Sequence, residues 1–452
     1  LTPPKTVILI GAGDRGQIYA AYAKKNLERL KVVAVAEPRQ ARRERITGEH
    51  GIEPSRVFES WEEILDQPRM ADGAIIATQD TMHVAPAVKA MDQGYHVLLE
   101  KPMALTLTDC LALVETSKRT GRTLNVCHLL RYTDFFLKIK AILDKGLIGD
   151  VHTIFHAENV AYYHMAHSFV RGNWRSSAEA SPMILAKCCH DMDIIAWFAG
   201  ARPRQLSSFG SLSHFKPENA PDGAPALCTD DCPAEKHCKY NAIDTYLYGK
   251  HIKLALTKSG SLSIATLARF ALGFPRMARH MPVLKHYSIW KEWPTSTITE
   301  DASQEGIMLA LREGPYGRCV YRCDNDQVDH QETIIEFDGG ITAILRMHGH
   351  SEHEGRTLRI DGSKGTLKGT FGGRSGLEVH IHAMAKKITF PVKSDIIGHA
   401  EGDYGIMENF VHVLNGGKGL TDAAESLLSH MMAFAAHKAR IENKVVEFTH
   451  GR

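Results

Sequence analysis

Val7-Ile8-Leu9-Ile10-Gly11-Ala12-Gly13-Asp14-Arg15-Gly16 is the stretch that decides the fold. Four consecutive aliphatic residues suit a strand buried on both faces. The six residues after them have the pattern G-x-G-x-x-G, and Gln17 to Leu30 then reads as a helix. A strand, a glycine turn and a helix in that order give the glycine pattern a physical meaning. Gly11 makes the tight turn, Gly13 lets the backbone approach a pyrophosphate, and Gly16 permits close helix–strand packing. The helix N-terminus attracts the anion, so Asp14 and Arg15 join the glycines as candidate cofactor-binding residues.

A second strand is expected over Val32–Ala36, and Glu37 follows it, 21 positions after Gly16. A carboxylate there hydrogen-bonds ribose hydroxyls and repels a 2′-phosphate, which predicts NAD in preference to NADP. Arg39, Arg42 and Arg43 pull the other way, since any of them could meet a phosphate. Gly73–Ala77 and His96–Leu99 read as further strands, and Met82–Gln93 and Thr108–Thr120 as helices. This alternation predicts a parallel, doubly wound α/β sheet.

The texture changes near residue 150. Val151–Val160, Glu332–Met347 and Thr357–Gly369 read as longer strands, with hairpin signals at Asp338-Gly339-Gly340 and Gly362-Ser363-Lys364-Gly365. The expected organisation is a Rossmann domain over residues 1–148 and an α/β domain over 149–452 with a large, mostly antiparallel open sheet. Thr421–Asn443 reads as an amphipathic helix with Leu427, Leu428, Met431, Phe434, Ala435 and Ile441 on its apolar side, expected to pack back toward the first domain. Periodicity over 253–315 is weak and predicts no firm element.

Composition narrows the function. Lys plus Arg is 54 against 52 for Asp plus Glu, a balance that excludes a chain-wide basic footprint for nucleic acid. No apolar run reaches the length of a membrane span. The nine cysteines are an odd number in a chain with an ample core, and Leu1–Lys5 lacks the basic-then-apolar pattern of an export signal. The expectation is a cytoplasmic protein with no nucleic-acid or membrane partner. Cys228, Cys232 and Cys238 cluster in one polar loop and would suit a structural zinc, with His237 or a distant cysteine as fourth ligand; free thiols are the alternative.

Glu100-Lys101-Pro102 follows directly on the strand His96–Leu99. The carboxyl ends of such strands hold the ligand, and a lysine there can polarise a hydroxyl or carbonyl. Together with the Gly11–Gly16 loop, Ala77-Thr78-Gln79-Asp80 with His83, and Gly146-Leu147-Ile148-Gly149, this motif resembles the glucose–fructose oxidoreductase/inositol dehydrogenase (Gfo/Idh/MocA) family. The resemblance implies a Rossmann domain followed by an α/β domain with a large open sheet, and hydride transfer between a nicotinamide and a sugar, cyclitol or related polyol. It implies that Lys101 is the catalytic or proton-positioning residue. Thr78 and Asp80 would line the nicotinamide ribose, with His83 and Glu100 on the same cofactor side. The sheet face would form homodimers or homotetramers.

Ser181–Asp193 resembles the second catalytic segment of that family, which places Asp four residues before His. Here Ala186 stands four before His190, and Lys187 follows it. His190 is expected to take the hydroxyl proton. Lys187 is expected beside Lys101, each lowering the other's pKa until one serves as a base near neutral pH. Tyr163, His164, His167, Arg171, Asn173 and Trp174 form a dense polar and aromatic stretch suited to a sugar, and His128 is a similar candidate. His330 and His399 read as structural.

These readings converge on an NAD-dependent oxidoreductase that takes hydride from a secondary hydroxyl of a sugar, glycoside or cyclitol. On a glycoside, oxidation at carbon 3 would acidify the carbon 2 hydrogen. That allows an alternative, glycosidic cleavage by elimination with NAD retained. A non-catalytic NAD-sensing protein is the rival from another class.

Overall fold

The computed structural model describes residues 3–257, 262–274, 277, 281, 289–373, 375–392 and 400–448. His399 lies outside the described residues. Six strands, β1 (Lys5–Ile10), β2 (Leu30–Ala36), β3 (Val57–Phe58), β4 (Gly73–Ile76), β5 (His96–Leu99) and β6 (Leu124–Val126), form an all-parallel sheet in the order β3-β2-β1-β4-β5-β6. The apolar run of β1 feeds two cores, Val7 and Leu9 on one face and Ile8 and Ile10 on the other. Strand order reverses between β1 and β4, which opens a crevice at their carboxyl ends.

Nine strands make the second sheet: β7 (Val151–Ala161), β8 (Pro203–Ser211), β9 (His330–Phe337), β10 (Thr342–Ser351), β11 (Gly355–Gly362), β12 (Gly365–Phe371), β13 (Gly376–Ile381), β14 (Lys386–Phe390) and β15 (Val446–Glu447). Their order is β14-β13-β12-β11-β7-β10-β9-β8-β15. Only the central pair, β7 with β10, is parallel. Both hairpin signals hold. Gly339 and Gly340 take φ of 82° and 83° between β9 and β10, a conformation that side chains with a Cβ rarely adopt.

Around the sheets lie α1 (Asp14–Lys25), α2 (Leu107–Thr120), α3 (Cys189–Ala199), α4 (Lys250–Leu256), α5 (Leu262–Gly273), α6 (Ala400–Leu414) and α7 (Ala423–Glu442). α1 ends before the expected Leu30, which instead begins β2. The last two helices tie the halves together. Ile406, Met407, Phe410, Val411 and Leu414 of α6 belong to the core of the parallel sheet. Thr421 runs along the edge of β6, its carbonyl accepting from Val126 N–H at 2.8 Å and its hydroxyl donating to the Val126 carbonyl at 2.8 Å. The first sheet is therefore completed by residues far beyond 148.

α7 corrects one expectation. Its buried residues include Ser426, Ser429, His430, Ala433, Ala436 and Ala439, while Ile441 is exposed. The helix packs between α3, α2 and β8, so small buried residues join Leu427, Leu428, Phe434 and Ala435, which pack on the cores as expected, and only Ile441 departs from the expected apolar side.

Candidate active site

One cleft of about 2360 Å³ joins the two halves. Its first wall is the crevice of the parallel sheet, carrying Gly11, Gly13, Asp14, Arg15, Glu37, Thr78, Asp80, Glu100 and Lys101. Gly11 has φ +88°, and a Cβ there would stand 2.6 Å from the Ala77 carbonyl oxygen. A Cβ on Gly16 would stand 2.0 Å from the Gly11 oxygen, so Gly16 serves packing and does not face the cleft. A Cβ on Gly13 would meet nothing nearer than an Arg42 nitrogen at 3.5 Å, which leaves the loop open on its outer side.

Glu37 is buried, and its carboxylate accepts from the backbone N–H of Ala12 at 2.7 Å and of Arg39 at 3.0 Å. The acid is thus fixed at the end of β2, with lone pairs left for hydroxyl donors. Arg43 is turned to the Glu37 carbonyl and to Glu59, whereas Arg39, Arg42 and Arg45 line the cleft. An open loop at a helix N-terminus and a fixed carboxylate along the same cleft fit the pyrophosphate and the adjoining ribose of an adenine dinucleotide.

At the end of β5, Glu100 accepts from Arg15 Nε at 2.7 Å, Tyr19 Oη at 2.5 Å and Lys101 N–H at 3.0 Å. Burial pushes its carboxyl up, but Arg15 and the hydrogen bonds from Arg15 and Tyr19 outweigh this and hold it below the usual range. Arg15 also binds Asp403 of α6 at 2.6 Å, so it braces the wall. Lys101 reaches across, its Nζ donating to the Ala186 carbonyl at 2.7 Å. Asp80 accepts from Trp174 Nε1 at 3.0 Å, a second link between the walls.

The opposite wall carries Tyr163, His164, His167, Asn173, Trp174, Lys187 and His190. Lys187 overturns the pKa expectation. Its ammonium sits 2.7 Å from Glu354 and 3.4 Å from Glu158. Burial alone would lower its pKa, but the two carboxylates raise it above the usual lysine range. Lys187 is therefore a fixed cation and not a base.

The carboxylates belong to a buried cluster that sequence reasoning missed. Strand register sets Arg356 of β11 opposite Glu158 of β7, with an ion pair of 2.6 Å. Arg356 also reaches Asp191 of α3 at 2.9 Å, and His156 meets the same oxygen at 2.7 Å. Burial pushes Glu158 up to about 7 in spite of Arg356 and Lys187. Burial also opposes ionisation of Asp191, but Arg356 and His156 bring it down to about 2. One signal was available: His156 and Glu158 share the period-two face of Ile154 and Val160, which puts two polar residues on the inner face of a central strand.

Three other expected contacts fail. His128 is wholly buried behind His190, with ring centroids 5.5 Å apart, and packs edge-on against His430. Arg171 is buried away from the cleft and donates to the carbonyls of Arg318 at 2.7 Å and Tyr240 at 2.8 Å. Its long side chain satisfies loop carbonyls rather than a substrate. His83 is buried between the Pro102 and Thr78 carbonyls, where it positions two cleft loops without facing the cleft. His167 does border the cleft, but its two nitrogens are engaged by Tyr246 and Thr297.

Cys228, Cys232 and Cys238 gather with Cys319 around Arg171. The Arg171 guanidinium lies 3.5 Å from Cys228 Sγ. Among the described residues, no group of three or more His, Cys, Asp or Glu side chains is arranged to hold a metal, so the zinc reading gains no support. His330 lies outside the cleft, beside Asp329.

Fold and cleft together define a dinucleotide-binding protein of Rossmann type with a second, open-sheet half. Residues 5–128 match the family described as "Oxidoreductase family, NAD-binding Rossmann fold", and residues 136–250 match the "GFO/IDH/MocA C-terminal domain". The chain belongs to the Gfo/Idh/MocA oxidoreductase family.

Among curated relatives, scyllo-inositol 2-dehydrogenase (NAD(+)) of Bacillus subtilis is 29% identical over 208 residues, 45% of this chain and 56% of that protein. The 2,7-anhydro-N-acetylneuraminate hydratase of Escherichia coli is 23% identical over 197 residues, 43% of this chain and 52% of that protein. The chain thus spans little more than half the length of either relative. Scyllo-inositol dehydrogenase from Lactobacillus casei, solved with NAD(H) and scyllo-inositol, shares the fold at TM-score 0.62 and 17% identity, over 98% of this chain and 99% of that one.

Proposed function

We propose that this protein is an NAD-dependent oxidoreductase acting on a secondary hydroxyl of a sugar, glycoside or cyclitol. The observation that carries this reading is the meeting of Lys101 and the His190 segment across one cleft, with Lys101 Nζ 2.7 Å from the Ala186 carbonyl. When bound along the glycine loop, the nicotinamide supplies the hydride acceptor. Lys101 donates a hydrogen bond to the substrate oxygen and stabilises the negative charge that grows as the C–H bond breaks. His190 accepts the hydroxyl proton. Tyr163, His164, Asn173 and Trp174 offer the polar and aromatic surface for the ring. Lys187, held protonated by Glu354 and Glu158, contributes a fixed positive charge to the substrate side. Glu37 favours NAD, since a 2′-phosphate would meet its buried carboxylate.

A second reading, elimination through a transient ketone without net redox change, is favoured by two observations. The family's acidic position is Ala186, and one of the relatives is a hydratase. A panel of glycosides, cyclitols and anhydro-sugars with NAD or NADP separates the readings when absorbance and product are followed together. NADH formed with oxidised sugar supports the dehydrogenase. A cleaved or hydrated product without net NADH supports elimination. Tight NAD binding with no turnover across the panel would leave a sensor.

A further inference from the structure

Glu354 offers one of its oxygens to two partners. Lys187 Nζ stands 2.7 Å from Oε1 and His164 Nδ1 stands 3.1 Å from the same atom, while Oε2 accepts from the Ala161 N–H at 2.9 Å. Burial opposes ionisation of Glu354, but His164 and Lys187 hold its carboxyl well below the usual range. An ionised carboxylate only accepts, so Nδ1 of His164 carries the hydrogen and Nε2 keeps a lone pair. An imidazole fixed in one tautomer by a carboxylate is the arrangement of a general base.

His164 is also kept neutral. Burial lowers its pKa more than Glu354 raises it, and Lys187 and Lys101 lower it further. The rings of Trp293 and Phe169 stand 5.2 Å and 6.3 Å from its own. The histidines of this wall therefore differ. His167 has both nitrogens engaged by Tyr246 and Thr297, whereas His164 spends only Nδ1 and lines the cleft beside Lys187 and His190. Oxidation of a hydroxyl calls for one proton acceptor, and His190 is already placed for it. A second acceptor, with the cations of Lys101 and Lys187 at hand to hold an enolate, suits a proton on carbon.

We propose that His164, oriented by Glu354, removes the hydrogen from the carbon next to the substrate ketone, so that a glycoside oxidised at carbon 3 is cleaved by elimination in this cleft. The ketone comes from the proposed oxidation, on which this step rests. The C–H bond at carbon 2 breaks, its electron pair forms the enolate, and the proton goes to His164 Nε2. The enolate then collapses to the ketone as the bond from carbon 1 to the aglycone oxygen breaks and a double bond forms between carbons 1 and 2. The departing oxygen keeps the bonding pair and takes the proton from the imidazolium. A keto-glycoside enters, an unsaturated ketone and an alcohol leave, and no oxidant is consumed.

The test supplies the ketone ready-made. Methyl α- and β-glucosides and galactosides oxidised at carbon 3 are incubated in D2O with the full chain and NAD. Deuterium at carbon 2, read by NMR, reports the base alone. Release of nitrophenol from the corresponding nitrophenyl keto-glycosides reports cleavage. The parent should exchange faster than buffer. His164→Ala should slow exchange about a thousandfold, and added imidazole should restore part of it. Should that variant unfold, as read from its thermal midpoint, His164→Gln carries the same comparison. Glu354→Gln should slow exchange by a factor of about ten to a hundred, with part of the loss recovered in Glu354→Asp. Oxidation of the parent alcohols should respond in the other order, falling further in His190→Gln than in His164→Ala. The proposal is overturned if exchange does not exceed that in buffer, if folded His164 variants exchange as the parent does, or if imidazole restores nothing. NADH formed from alcohols by a chain that exchanges none of these ketones leaves the oxidation standing and removes the elimination. A chain that does neither removes both.

Discussion

Lys101 and Lys187 stand on opposite walls of one cleft, and their surroundings differ in kind. Lys101 ends a parallel strand, is partly exposed, and gives one hydrogen bond to a backbone carbonyl across the gap. A substrate oxygen can replace that carbonyl at little cost. Lys187 is buried against two carboxylates, of which Glu158 is held by Arg356, itself paired with Asp191, and Glu354 is held by His164. Charge is available for chemistry where the lysine has a weak, replaceable partner. Where it is caged, it holds the shape and polarity of the wall.

Replacing Lys101 breaks the comparison most visibly. Lys101→Ala should lower kcat/KM about a thousandfold or more, with little change in unfolding free energy. Unchanged turnover would remove Lys101 from the mechanism. Arg356→Ala should act in the opposite way, costing about 3–5 kcal/mol of stability in urea unfolding, because Glu158 and Asp191 would stay buried without their shared cation. Lys187→Met should lie between these. Stability should fall by about 2 kcal/mol, with a smaller loss of kcat/KM than at Lys101, since Arg356 still faces Glu158. Were Lys187→Met as damaging to turnover as Lys101→Ala, the distinction between free and caged lysine would collapse.

Acid titration sharpens the same contrast at the interface behind His190. Burial pushes His128 and His430 down to about 3, below the unfolded value near 6.5. Their folded pKa values are depressed, so the unfolded chain binds more protons as pH falls. The stability they contribute is present above about pH 6.5 and is lost progressively toward pH 3. Each should add about 1.4 kcal/mol per pH unit to the slope in that window. His430→Gln should flatten the curve, and an unchanged slope would mean that His430 is protonated in the native state. The smallest effect is expected at Glu37. Glu37→Ala should narrow the preference for NAD over NADP by about tenfold, read from kcat/KM with each cofactor.

The first wall was legible because its information is local. Ten consecutive residues specify strand, turn and helix, and Glu100-Lys101-Pro102 sits beside the strand that places it. The second wall was not, because its partners are distant: Lys187 and Glu354 are 167 positions apart. Only the register of β7 with β11 brings Glu158 and Arg356 face to face. For the same reason Lys187 looked like a base, and His128 and Arg171 like sugar contacts. Each side chain has the right chemistry, and burial gave it another partner. The helix Ala423–Glu442 was found with most of its apolar side, but its small buried residues were not, because contact on several sides buries Ser426, Ser429, Ala433 and Ala436 as well as the apolar stripe.

The closure of the first sheet also bears on how the chain comes to be folded. The cofactor-wall residues from Gly11 to Lys101 are already made by residue 101, yet Ile406, Met407, Phe410 and Leu414 supply part of the core behind them. Thr421 then occupies the open edge of β6. During synthesis, the half that emerges first waits with an unsealed face and a bare strand edge until the final helices arrive. What is translated first is finished last, and a chain shortened before α6 should lose packing in its opening half along with its end.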